Sequence, residues 1–164
     1  MTAVNDTVLR FGDVVYAIDT TPKALRNWLQ RGQVKLASPK PEEGWREFSY
    51  VDVAILALTR SIVDFGVRVE DASNLAHTIL TYMQGEAWTT LKNVPPTAIS
   101  IFWVNKAVLL ARDGEAWNLM IWNRWEEFPE DFPPAIIIIP EHTLRAALTR
   151  AMEIAGEIEH ASKE

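Results

Sequence analysis

Four side chains between Lys23 and Gln30 are of types that read nucleic-acid bases. Lys23, Arg26, Asn27 and Gln30 recur at i, i+3, i+4 and i+7, which on a helix places them along one edge. Arginine presents a donor fork to guanine, and asparagine or glutamine pairs a donor and an acceptor with adenine. An ordinary solvated helix face has the same composition, so spacing alone leaves both uses open. Downstream, Lys35, Lys40 and Arg46 suit a second chemistry, charge-assisted hydrogen bonding to phosphate. The guanidinium of Arg46 can hold a phosphate with two parallel bonds, or stack on Trp45 or Phe48. Contacts to phosphate position a protein without reading sequence.

Other chemistries find little support. The chain has no cysteine, hence no disulfide framework and no thiolate ligand. Its histidines, His77, His142 and His160, are scattered without a His-x-x-x-His spacing, so no metal site is expected. No glycine-rich phosphate loop and no nucleophile beside an evident base stand out, so neither a cofactor nor catalysis is expected. The acidic group Glu126, Glu127, Glu130 and Asp131 reads as a solvated loop. The net charge of −6 over 164 residues argues at first against a nucleic-acid partner. Yet within 23–46 the basic residues Lys23, Arg26, Arg31, Lys35, Lys40 and Arg46 meet only Glu42 and Glu43. Phosphate affinity follows the local field within a Debye length of about 8–10 Å, not the total charge. Hydrophobic residues make up 48% of the chain, enough for a packed core. The N-terminus lacks a signal-peptide pattern, and the apolar run Ile136–Ile139 is far too short to cross a bilayer. A cytoplasmic protein is expected.

The elements that would position these residues are well punctuated. Thr21 can cap a helix opening on Pro22, and Gly32 can end it, giving a helix over 22–31. Leu25, Trp28 and Leu29 form its apolar face, opposite the polar edge. Upstream, "FGDVVYAI" suits a first short helix, with Ile18-Asp19-Thr20 as the turn and Tyr16 on the inner side. In "QVKLASPKPEEGWREF" the residues Pro39, Pro41 and Gly44 exclude helix, and two short extended pieces around a loop would suit a wing. Trp28, Trp45 and Phe48 are expected in the core. Helices follow over 49–66, capped by Ser49, with Val53, Leu56, Ile62, Val63 and Phe65 on its apolar face, and over 69–83, with Leu75, Ile79 and Met83 in register.

In order, Thr21-Pro22-Lys23-Ala24-Leu25-Arg26, Gly32, Gly44-Trp45-Arg46-Glu47-Phe48-Ser49, Asp52 and Phe65-Gly66-Val67-Arg68-Val69-Glu70-Asp71 resemble the mercury-resistance regulator (MerR) superfamily of winged helix-turn-helix proteins, over about residues 12–83. Trp45 and Phe48 replace the family's wing tyrosines, and Asn27 stands where an aromatic residue is usual. The resemblance implies that the second helix enters the major groove of double-stranded DNA, that Arg46 holds the DNA backbone, and that the protein is dimeric. It also covers relatives acting in recombination or packaging.

After a boundary at about 85–96, "TAISIFWVNKAVLLARDGEAWNLMIW" alternates like strands. Asp113-Gly114 signals a tight hairpin that would set Arg112 opposite Glu115. Trp117, Leu119 and Ile121 would share one face, Met120 and Trp122 the other, with both faces covered. "AIIII" reads as a buried strand, and Pro140 opens a helix to about 160. In that helix Leu144, Leu148, Ala151, Ala155 and Ile158 form a coiled-coil-like seam that packs on the sheet or on a second copy. The expected fold class is α+β: a MerR-like winged helix-turn-helix over 10–84, then a small antiparallel sheet with a C-terminal helix over 97–160. The expected function is a sequence-specific transcriptional regulator acting as a homodimer. A dimer core is preferred for the tryptophan-rich second half over a small-molecule effector pocket. The alternatives are a recombination or architectural factor of a mobile element, or a protein-interaction module that no longer binds DNA.

Overall fold

The computed structural model describes residues 7–82, 104–128 and 130–156. The expected boundary segment at 85–96, Met83, Ile158 and His160 lie outside these. The fold is α+β, with helices α1 (Phe11–Ala17), α2 (Pro22–Gln30), α3 (Tyr50–Val63) and α4 (Val69–Tyr82), then strands β1 (Lys106–Asp113), β2 (Ala116–Asn123) and β3 (Ala135–Ile138), and helix α5 (Pro140–Ile154).

The helix ends follow from their residues. Thr21 Oγ1 accepts from the Ala24 amide at 3.1 Å, and Pro22 occupies the first position of α2, where a missing N–H costs nothing. At the other end Gly32 takes φ 63°. Its amide donates to the Leu29 carbonyl, and that of Gln33 to the Trp28 carbonyl, the paired bonds of a Schellman turn. Residue 31 is thus the cap, so α2 ends one residue before the predicted boundary. The same pair of bonds closes α1, from Asp19 to Tyr16 and from Thr20 to Val15, with Asp19 itself at φ 51°.

α3 is the axis of the core. From Tyr50 to Thr59 every side chain is buried, the pattern of a helix covered on all sides. α4 packs on one flank, α5 on another, and α1 touches both α3 and α5. Phe65, expected on the apolar face, is exposed. It follows the α3 cap residue Asp64 in the turn to Gly66, where the chain has left the helical register.

The sheet has the order β2-β1-β3, antiparallel throughout. Val108 pairs with Ile121 and Ile138, and Leu110 with Leu119 and Ile136. These side chains and Trp117 join the helical core. On the opposite face Ala107, Leu109 and Ala111 are also buried, so the central strand is covered on both sides, as its alternation suggests. The hairpin is displaced by one residue from the expected turn. Asp113 pairs with Ala116 and Arg112 with Trp117, not with Glu115. The loop is Gly114-Glu115, with Gly114 at φ 60°, because a turn with glycine first needs the positive φ at its leading position.

α5 turns its seam inward. Leu144, Ala147, Leu148 and Ala151 are buried in one cluster with residues of α1, α3 and the sheet. Arg150 Nε donates to the Ala17 carbonyl at 2.8 Å, closing the last turn of α1.

Candidate nucleic-acid interface

The candidate surface begins with α2. Leu25 and Trp28 are buried, and Leu29 is half-buried. The opposite edge is open to solvent: Lys23, Arg26, Asn27 and Gln30 are all exposed. The arrangement follows from helical period, since burying 25 and 28 against α1 turns 23, 26, 27 and 30 outward. The Arg26 guanidinium lies 5.7 Å from the centre of the Phe11 ring, a cation–π contact that restrains it across the α1–α2 turn. Arg31 is exposed at the same end, an additional cation close to the edge.

The segment after α2 is held by side chains from α3 and α4. The Lys35 amide donates to Ser73 Oγ at 3.2 Å, and His77 Nε2 donates to the Lys35 carbonyl at 2.6 Å. With its backbone pinned, Lys35 leaves its side chain exposed, as does Lys40. The wing is a loop rather than the expected pair of extended pieces. Among the described residues its one strand-like contact is between Phe48 and Leu9, whose amides and carbonyls exchange two 3.0 Å bonds. Pro39 and Pro41 remove donors from any ladder, and the buried carboxylate of Asp52 takes others. Its Oδ1 accepts from the Ala37 and Ser38 amides at 2.7 and 3.2 Å, and its Oδ2 from the Ser49 amide at 2.9 Å and the Ser49 hydroxyl at 3.0 Å. The Asp52 amide in turn donates to Ser49 Oγ. Asp52 therefore caps α3 and ties down the wing base at once. The Ser49-x-x-Asp52 spacing carried the capping half of that role; the bonds to 37 and 38 had no signal in sequence.

Arg46 is half-buried, and its Nη2 donates to the Ser38 carbonyl at 3.2 Å. It bridges the two arms of the wing, whatever else it touches. Trp45, expected in the core, is 93% exposed. Its neighbour Gly44, at φ 89°, lets the chain turn at the wing tip and carries the ring out to solvent. Tyr16, also expected inside, is exposed, because Val14 and Ala17 take the inward positions of α1. Phe48 and Trp28 are buried, as their types suggest.

A cleft of about 340 Å³ opens where α1, α3 and α5 meet, lined among others by Asp19, Arg60, Phe65 and Arg150. Arg60 pairs with Asp64 at 3.3 Å. None of Trp117, Trp122 and Trp125 lines this cleft, so it is not the aromatic pocket considered for the second half. No group of three or more metal-binding side chains occurs among the described residues. Nor is any helix among them long and apolar enough to cross a membrane.

No curated protein matches the chain. Residues 9–78 match the family model described as MerR HTH family regulatory protein. That span runs from the Leu9 bridge through α1, α2, the wing and α3 into α4, the same elements that set out the polar edge of α2. Over these residues, less than half of its length, the chain is thus similar to a MerR regulatory helix-turn-helix.

Proposed function

We propose that the protein is a sequence-specific DNA-binding transcriptional regulator that acts as a homodimer. Residues 10–84 form the DNA-binding part, and 97–160 serve dimerisation. The observation that carries the reading is the outward edge of α2. Lys23, Arg26, Asn27 and Gln30 are all exposed while Leu25 and Trp28 anchor the helix, within a segment that matches a regulatory helix-turn-helix family. In this reading α2 lies in the major groove. Arg26 addresses guanine, and Asn27 or Gln30 addresses adenine. Lys35, Lys40 and Arg46 hold phosphates and set the register. One short helix reads few bases, and two copies on a repeated half-site raise affinity and specificity together.

Selection of bound sequences from a random duplex pool, at stated salt, tests the proposal. An enriched inverted repeat is the expected result. A pool that stays unenriched, with no retention of any duplex even in dilute buffer, refutes it.

A further inference from the structure

The cleft where α1, α3 and α5 meet holds charged groups that the proposed DNA contacts leave unused. Its two long walls are helix stripes. Ala57, Arg60 and Asp64 come from α3 and its cap, and Thr143, Ala147 and Arg150 from α5. Each set spans seven positions at steps of three and four, so each shares one helix face. With alanine on both walls the side chains there are short, and about 340 Å³ stays open between them. Asp19, from the turn between α1 and α2, and Phe65, from the turn after α3, complete the lining.

Among the described residues the cleft has two charges of each sign. Arg60 and Asp64 are joined at 3.3 Å. The other two stay apart. Arg150 commits its Nε to the Ala17 carbonyl. Its two remaining nitrogens, like the Asp19 carboxylate, have no hydrogen-bond or ion-pair partner among the described residues. Beside them the Phe65 ring is exposed. An unmatched cation, an unmatched anion and an uncovered ring in one cleft complement a carboxylate, an ammonium and an apolar group on one small molecule. We infer that the cleft is a binding site for a free amino acid with an apolar side chain. Its carboxylate accepts from both Nη groups of Arg150, its ammonium donates to Asp19, and its side chain covers Phe65. A simple anion such as phosphate meets the two carboxylates as well as the arginines, and a simple amine meets the two arginines, so a zwitterion alone gains from both signs. The volume lies near the lower end of the range of about 300–1,000 Å³ for small-molecule clefts, which suits one amino acid and excludes a dinucleotide. Two of the contact residues also hold the entrance to α2. Asp19 sits in that turn at φ 51°, and Arg150 closes the last turn of α1, so occupancy braces the α1–α2 turn.

The inference stands apart from the DNA reading, and its test needs no DNA. The full chain is titrated by calorimetry with L-leucine, L-methionine and L-phenylalanine. Phenylpropionate and phenethylamine, which each keep one charge of phenylalanine, are titrated beside them. Saturable binding of at least one amino acid is expected, with each one-charge relative weaker by about tenfold or more. Asp19→Asn removes the carboxylate while asparagine tolerates the positive φ. It should weaken the amino acid by about tenfold and leave phenylpropionate unaltered. Arg150→Gln should weaken both together; where it fails to fold by circular dichroism, Asp19→Asn decides. In the wild type, the Asp19 and Thr20 amides donate to the Tyr16 and Val15 carbonyls, and their hydrogen exchange should slow at saturating ligand. The inference is overturned by no saturable binding of any of the three, by one-charge relatives that bind as tightly, by an Asp19→Asn chain that binds as before, or by exchange in the turn that ligand leaves unaltered.

Discussion

Asp52 accepts four hydrogen bonds from three residues of the wing and its exit, Ala37, Ser38 and Ser49. Hydrogen bonds to a charged acceptor contribute about 1.5–3 kcal/mol each, and a buried donor left unpaired is costly. Asp52→Ala is therefore expected to lower stability by on the order of 3 kcal/mol, read from urea unfolding; an unchanged midpoint would show that water replaces the carboxylate. Trp45 predicts the opposite. Its ring is almost fully exposed, so Trp45→Ala should alter stability by no more than about 0.5 kcal/mol. On the α2 edge, Arg26→Ala should cost about 1–3 kcal/mol on a selected site and relax the base preference there. Arg46→Ala should weaken all duplexes alike and reduce the salt slope by about one. Because Arg46 also bridges to Ser38, Arg46→Lys separates its charge from its bridging: it should keep the slope and lose part of the wing's rigidity. Equal loss of specific and nonspecific binding in the Arg26 and Arg46 variants would void both assignments. The outward edge of α2 was legible because helical spacing alone sorts its residues. The partner of Arg46 was not, since a guanidinium beside aromatic residues suits stacking, phosphate or a carbonyl equally well.

The helices were readable because their signals are local. Thr21-Pro22 and Gly32 mark the two ends of α2 through bonds made within a few residues, and Ser49-x-x-Asp52 marks the start of α3. Thr21→Ala should cost about 1 kcal/mol. Gly32→Ala should cost about 1–2 kcal/mol through its positive φ alone, since space around it is open. Thermal melts of the two variants check both values. The hairpin was harder. Asp113-Gly114 can serve as the two central residues of a turn, or Gly114 can lead the next pair, and only the register with β1 decides. Residue type also misled at Trp45 and Tyr16, where burial depends on which neighbours fill the inward positions.

At the level of the whole molecule, α1 and α5, the first and last of the described elements, share a core. The heptad-like spacing of α5 fits an internal helix packing and a helix pair between copies equally, so sequence left its partner open. Its inward turn follows from the apolar surface that α1 and α3 offer. Leu148→Ala, a truncation at a site 2% exposed, should cost about 2–5 kcal/mol. DNA affinity and thermal midpoint should fall in one transition; two separate melts would show that the halves unfold independently. The bond from Arg150 to the Ala17 carbonyl spans 133 positions, and it bears on synthesis. On the ribosome, the emerging helix-turn-helix waits for more than a hundred further residues before its support arrives. Nascent chains should accordingly bind duplex DNA poorly, and competence should appear only after α5 has cleared the exit tunnel.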